Sequence, residues 1–324
     1  MERIHVKVPG EQLQDREYMK QALALAEKGH GWVNPNPMVG AVLVKDGRII
    51  GEGYHTRYGQ LHAEREAFKN AAERGEETAG ADLYVTLEPC CHTGKQPPCT
   101  EAVLASGVKR VIVGCTDPNP VVAGRGIRLL REKGLEVVAG VLRGECERQN
   151  EVFFHFMRTK LPFTVLKYAM TLDGKTATVL GKSQWITGEA ARKRVHEDRG
   201  RYMAILTGVS TVLADNPQLT CRIPGGKNPI RVIADTKLRT PLSSTVVQTA
   251  RETPTWIVTA VSDAGRKKAY EDAGCRVLSV PAKEGELDLQ AMMQRLGEEK
   301  VDSVMVESGG TLAWSFLKAG LVNR

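Results

Sequence analysis

Leu87-Glu88-Pro89-Cys90-Cys91-His92-Thr93-Gly94-Lys95-Gln96-Pro97-Pro98-Cys99, with His62-Ala63-Glu64 upstream of it, decides how this chain is read. The run Leu83–Leu87 before the first cysteines has the apolar, β-branched character of a buried strand. Pro-Pro before Cys99 marks the start of a helix, and His62 opens another that runs to Arg74. The residues with chemistry therefore lie where strands meet helices. At such junctions His62 and Glu64 can face one cavity, although residues two apart diverge deep inside a helix. Helix openings at Cys90 and Cys99 would supply backbone N–H groups that favour thiolates. One neutral imidazole and two thiolates balance Zn²⁺ and leave a fourth position for water. Glu64, outside the ligand set, can carry the proton.

Outward from this stretch, the pattern alternates. A helix begins near Asp15 and ends at Gly29. Strands 39–44 and 48–54 flank the hairpin pair Asp46-Gly47. Helix 99–106, strand 108–114, helix 124–133 and strand 135–139 follow, and one helix over 145–158 closes the domain. This order predicts a mixed sheet covered on both faces. In the second half, strands are expected at 163–170, 203–207, 230–234, 255–259, 276–279 and 303–306. Helices near 188–199, 264–273, 287–297 and 310–319 suggest a second, largely parallel sheet.

Length and composition agree with two domains. The 324 residues exceed one ordinary domain, and 42% hydrophobic with 26% charged residues exclude a disordered or fibrous chain. Aromatics at 5% are too sparse for base-stacking platforms. Residues 1–150 hold 20 Lys/Arg and 20 Asp/Glu, whereas 151–324 hold 25 and 18, so the whole excess of seven lies in the second half. A basic half beside a neutral one fits phosphorylated small ligands or nucleic acid for the second domain, and equally a solvated basic surface. Seven cysteines, only three of them clustered, speak for a metal or catalytic use in a cytoplasmic protein rather than a disulfide framework. No signal-like apolar segment and no membrane-spanning run is visible.

The His-x-Glu and Pro-Cys elements approach the general zinc-deaminase signature, except that eight residues rather than two separate Cys90 from Cys99. With Asn36-Pro37-Met38-Val39-Gly40, Asp117-Pro118-Asn119-Pro120 and Gly124-Arg125-Gly126, the chain resembles the bifunctional riboflavin-biosynthesis deaminase–reductases. In the second half, Leu166–Lys175, Ser183–Thr187, Gly208–Thr211, Ala214–Pro217 and Glu307–Thr311 carry the likeness.

The resemblance implies an α/β fold: a cytidine-deaminase-like three-layer α/β/α domain over 1–158, then a dihydrofolate-reductase-like α/β domain over 159–324. It implies zinc held by His62, Cys90 and Cys99, with Glu64 catalytic and Cys91 not a ligand. Asn36, His55, His92 and Lys95 would contact the pyrimidine and its ribose phosphate. NADPH would meet Ala169, Trp185, Thr211, Asp215, Thr236 and the loop Gly309, Gly310, Thr311, Leu312, Ala313, Trp314 and Ser315. Lys167, Ser183, Arg199, Leu219, Arg222 and Glu307 would line the reductase substrate site. Of these, Arg199 and Arg222 suit a phosphate, because a guanidinium binds an oxyanion as a fork.

The implied reactions are hydrolytic deamination of a phosphoribosylaminopyrimidine and NADPH-dependent reduction of its ribosyl group. The implied partners are small phosphorylated pyrimidines, with no nucleic acid and no membrane, in a homo-oligomer (dimer or tetramer). Relatives continue past Leu321-Val322-Asn323-Arg324, so the second domain is expected to be C-terminally incomplete, with an unpaired sheet edge. Two other readings stand beside this one. They are a zinc deaminase for another nucleobase or tRNA, and a non-catalytic structural zinc module.

Overall fold

The computed structural model describes residues 13–93, 96–120, 122–180, 183 and 185–324. Two compact units meet between Arg158 and Thr159.

The first unit runs α1 (Leu13–Glu27), β1 (Gly40–Lys45), β2 (Arg48–Tyr54), α2 (Ala63–Glu73), β3 (Asp82–Leu87), α3 (Cys99–Ala105), β4 (Arg110–Cys115), α4 (Arg125–Glu132), β5 (Glu136–Ala139), α5 (Arg143–Gln149) and α6 (Glu151–Thr159). Its five-stranded sheet has the order β2-β1-β3-β4-β5. The pairs β1–β2 and β1–β3 are antiparallel, while β3–β4 and β4–β5 are parallel. Asp46 (φ 52°) and Gly47 (φ 74°) both adopt the left-handed conformation that a tight hairpin turn requires.

Alternation along the strands feeds two cores. Leu83, Val85, Val111 and Val113 pack on α2, α3 and α4. Tyr84, Ile112 and Val42 pack on α1 and the two closing helices. The single helix expected over 145–158 is in fact two, because Asn150 leaves the helical path (φ −105°). Its carboxamide accepts the Met38 N–H and donates to the Met38 carbonyl, both at 2.8 Å. A tertiary contact thus overrides local helix propensity.

The second unit holds β6 (Phe163–Lys167), α7 (Glu189–Arg201), β7 (Ala204–Gly208), α8 (Val209–Asp215), β8 (Ile230–Ala234), α9 (Thr245–Gln248), β9 (Thr255–Thr259), α10 (Ala264–Asp272), β10 (Arg276–Ser279), the short hairpin β11 (Ala282–Lys283) and β12 (Glu286–Leu287), α11 (Leu289–Glu298), β13 (Ser303–Glu307) and α12 (Gly310–Lys318). Six strands in the order β10-β9-β8-β7-β13-β6 pair in parallel throughout. Such a sheet must be covered on both faces. Met292, Met293, Leu296 and Phe316 cover one face, and Val209, Val212, Val246 and Tyr270 the other. Asp263 and Asp288 cap α10 and α11 by accepting the amides of Arg266 and Ala291.

Three expectations change in this unit. The strand starting at 163 ends at Lys167 rather than 170, since Tyr168 and Met170 are exposed. Helices α8 and α9 appear where none was expected. The outer edge of β6 is not bare: Thr164 N–H donates to Asn323 Oδ1 (2.8 Å), and Leu166 N–H to the Arg324 carbonyl (2.9 Å).

Candidate active sites

In the first unit, His62 ends the β2–α2 loop with extended backbone (ψ 161°), so its ring and the Glu64 carboxyl turn the same way before the helix is established. Its Nδ1 lies 3.3 Å from Cys99 Sγ and 3.6 Å from Cys90 Sγ. The three donor atoms fall within 4.8 Å of one another. Zinc bonds of ~2.3 Å to sulfur and ~2.0 Å to nitrogen put tetrahedral donors roughly 3.5–3.8 Å apart. The donor set and its spacing fit zinc.

Cys99 opens α3, but Cys90 follows β3 in the loop rather than opening a helix. The stabilisation expected from a helix start still reaches it, because the Cys99 N–H donates to Cys90 Sγ at 3.3 Å. Hydrogen bonds from the Cys99 thiol, from His62 and from that amide hold Cys90 far below the ordinary thiol range, against the opposing effect of burial. The neighbouring Cys90 and burial push the Cys99 thiol up. Glu64 is 3% exposed, and burial raises its carboxyl above the ordinary range. Beside the three donor atoms, such a carboxyl is placed to accept a proton and return it.

Around the triad, His55 is buried, its Nδ1 donating to the Leu61 carbonyl at 2.9 Å. Its Nε2 therefore accepts from Asn36 Nδ2 at 3.2 Å, and its ring stacks edge-on to His62 with centroids 5.4 Å apart. His92 is half-buried, its Nδ1 without a hydrogen-bond partner among the described residues. Lys95 lies outside the described residues.

The sequence reading gave Glu88 no role. Its buried carboxylate accepts the amides of Asp117 (3.2 Å), Gly124 (2.8 Å) and Ile127 (3.2 Å), so one side chain ties the cysteine loop to the start of α4. Gly126 permits this contact, since a Cβ there would stand 2.1 Å from the Pro89 carbonyl oxygen. The signal was a carboxylate beside Pro89 at the end of an apolar strand.

In the second unit, the carboxyl ends of β6 and β13, with α8 just after β7, line a cavity of about 880 Å³. Parallel sheets commonly bind ligands at that end. Lys167, Ala169, Ser183, Trp185, Arg199, Thr211, Asp215, Leu219, Arg222, Glu307, Gly309, Gly310, Ala313 and Trp314 line it. Thr236, Thr311, Leu312 and Ser315 do not: Thr236 donates to Glu286, Leu312 packs into the core, and Ser315 bonds back to the Thr311 carbonyl.

Arg199 grips Glu307 with two bonds, Nε to Oε1 at 2.8 Å and Nη2 to Oε2 at 2.9 Å. Lys167 Nζ adds a contact at 3.5 Å. Burial alone would raise the Glu307 carboxyl, but Arg199 and Lys167 overcome it and hold the group below the ordinary range. Leu219 is held in the left-handed conformation (φ 54°). Behind it, the fully buried Arg231 donates to the Gln218 carbonyl at 3.2 Å and to carbonyls of residues 246, 249 and 253. Arg192 and His196 also line the cavity, though the sequence reading did not single them out. Both lie on α7, one or two turns before Arg199, and that helical spacing was the available signal.

Cationic Lys167, Arg192, Arg199 and Arg222, facing acidic Asp215 and Glu307, suit phosphorylated ligands, and the Gly309-Gly310 start of α12 favours an anion. The chemistry of the cavity fits a phosphorylated dinucleotide such as NADPH.

Comparison with known proteins decides the family. Residues 162–324 match the RibD C-terminal domain, and residues 12–115 match the cytidine and deoxycytidylate deaminase zinc-binding region. The riboflavin biosynthesis protein RibD of Actinobacillus pleuropneumoniae is 50% identical over 310 residues, covering 96% of this chain and 82% of that protein. The chain belongs to the RibD family.

RibD of Escherichia coli is 43% identical, over 96% of this chain and 86% of its own length. The solved diaminohydroxyphosphoribosylaminopyrimidine deaminase/5-amino-6-(5-phosphoribosylamino)uracil reductase of Thermotoga maritima superposes with a TM-score of 0.84, at 43% identity, covering 94% of this chain and 84% of that one. Acinetobacter baumannii RibD gives a TM-score of 0.85 at 38% identity, with 95% and 84% covered. As a RibD-family member, the chain is a bifunctional enzyme of riboflavin biosynthesis, a deaminase and a reductase in one polypeptide. Its fold joins a cytidine-deaminase-like unit to a RibD reductase unit, and its cofactors are zinc and NADPH. No helix among the described residues is long and apolar enough to cross a membrane.

Proposed function

We propose that the first unit deaminates 2,5-diamino-6-(5-phosphoribosylamino)pyrimidin-4(3H)-one. The second then reduces the ribosyl group to ribityl, giving 5-amino-6-(5-phosphoribitylamino)uracil. The observation that carries the first step is the convergence of His62, Cys90 and Cys99 beside a buried, upward-shifted Glu64.

Zinc held by these three residues supplies a Lewis acid that makes water nucleophilic near neutral pH. Glu64 is the group placed to take a proton from the attacking water and return it to the departing 2-amino group, which leaves as ammonia. His55, with both ring nitrogens engaged, orients the Asn36 carboxamide toward the pyrimidine. His92 and Lys95 complete the grip on the ribose phosphate.

In the second unit, Ala169, Trp185, Thr211, Asp215, Gly309, Gly310, Ala313 and Trp314 hold NADPH. Lys167, Ser183, Leu219 and the Arg199–Glu307 pair face the ribosyl carbon that receives hydride, and Arg222 holds the phosphate. The working enzyme is a cytoplasmic homo-oligomer, with its domain boundary at residues 158/159. The test is to incubate the chain with the diaminopyrimidine phosphate, with and without NADPH, and weigh the products. Ammonia release with a one-unit mass gain should occur without NADPH, and a further two-unit gain should require it. Deamination of a tRNA loop at a comparable rate would sink the assignment.

A further inference from the structure

His196 lines the reductase cavity, and the contacts proposed above leave it without a task. It stands on α7 one turn before Arg199, so both side chains leave the same face of the helix. Its Nδ1 accepts the backbone N–H of Arg222 at 3.2 Å, and its own carbonyl accepts the Cys221 thiol at 3.2 Å. From the same helix, Arg199 Nη1 donates to the Thr220 carbonyl at 3.0 Å. Helix α7 therefore grips three consecutive residues, 220 to 222, immediately after the strained Leu219.

An imidazole nitrogen that accepts an amide N–H must be unprotonated, which puts the ring proton on Nε2. Burial favours the neutral ring, as do the positive charges of Arg199 and Arg222. The Thr220 carbonyl and Glu307, which face it with the opposite influence, do not outweigh them. The Arg222 guanidinium has no ion-pair partner among the described residues, so its place is set by its backbone.

We infer that His196 is a positioning residue for the reduction, acting through the Arg222 main chain to fix where that guanidinium meets the substrate phosphate. This rests on the reading of Arg222 as the phosphate holder.

Full-length His196→Ala, His196→Asn, Arg222→Ala and the His196/Arg222 double alanine variant test it. NADPH oxidation is followed with the deaminated substrate and with its dephosphorylated counterpart. NADPH affinity by fluorescence checks that the second unit is intact. His196→Ala should raise KM for the phosphorylated substrate about tenfold, roughly one lost hydrogen-bond equivalent, with kcat and NADPH affinity nearly unchanged. His196→Asn should recover much of the loss, because its carboxamide oxygen can accept the same amide. On the dephosphorylated substrate, wild type and His196→Ala should match, and in the Arg222→Ala background the second change should add nothing. An equal KM rise on both substrates, or additive losses in the double variant, overturns the inference. Unchanged KM in His196→Ala with a clear loss in Arg222→Ala removes the positioning role and leaves the phosphate holder standing. Unchanged KM in Arg222→Ala overturns both.

Discussion

The two sites of this chain are built on opposite principles. The deaminase site is drawn together by donor atoms that touch: His62, Cys90 and Cys99 lie at hydrogen-bond distances, and backbone amides brace the loop through Glu88. The reductase site is a cavity whose walls come from six segments spread between residues 166 and 317, with several lining residues exposed. A metal site needs a few residue types at fixed distances, so it leaves a compact trace in sequence. A cofactor cavity needs a shape, which many side chains share. Losses in the first site should therefore be abrupt, and losses in the second graded.

The largest expected effect follows from that contrast. Cys90→Ser and Cys99→Ser should each lose zinc and, with it, ammonia release, while Cys91→Ser keeps both. Metal content per chain, measured beside deamination, separates these outcomes. Full zinc in Cys99→Ser, or its loss in Cys91→Ser, would break the ligand assignment.

Next in size is Glu64→Gln. It should keep zinc and the fold while slowing deamination by ~10²–10⁴, the usual worth of a general acid–base group. NADPH-dependent reduction of already deaminated substrate should be untouched, so each variant carries its own control. An undiminished deamination rate would take Glu64 out of the mechanism and favour a purely structural zinc.

Gly126→Ala should be milder. The new Cβ would press on the Pro89 carbonyl and the Glu88 side chain, both part of the cysteine loop's frame. Overpacking of this kind costs about 1–3 kcal/mol. The cost should appear as a lower unfolding midpoint for the first unit and weaker zinc retention against a chelator, with all zinc ligands intact. If zinc retention were unchanged, the bracing by Glu88 would be incidental to the metal site.

How much could be read in advance divides along the same line. Strands 230–234, 255–259 and 276–279 were legible because short stretches around Val232-Ile233, Trp256-Ile257-Val258 and Val277-Leu278, set between breakers, have few alternatives, and the structure ends them at those residues. The break at Asn150 was not, since its cause is Met38, 112 residues away. Helix α8 was missed because seven residues starting directly from a strand carry too little periodicity. The zinc ligands could be named from spacing and residue type. Glu88 was passed over because its partners are main-chain amides, which no residue type announces. His196 was hidden for the same reason, since it holds the backbone of Arg222.

The smallest effect probes how the second site holds its charge. Glu307 is kept below the ordinary carboxylate range by Arg199 first and Lys167 second, against burial. A depressed carboxylate contributes stability that is fully present above its unfolded pKa, ~4.3, and is lost as pH falls through the lower folded value. Lys167 is the weaker partner, at 3.5 Å and with its side chain 31% exposed. Solvent screening therefore limits its contribution to about 0.5 kcal/mol. Lys167→Met keeps most of the apolar stem and removes the charge. The variant's deficit in urea unfolding should be present at about pH 7 and shrink as pH drops through the acid range, because protonated Glu307 no longer distinguishes Lys from Met. Glu307 would also protonate at a higher pH in the variant, so its second unit should begin to weaken earlier on acidification. A deficit that stayed constant down to about pH 3 would assign the loss to packing of the Lys stem. The cavity would then be held by shape at this position as well, and charge would matter only at the Arg199 fork.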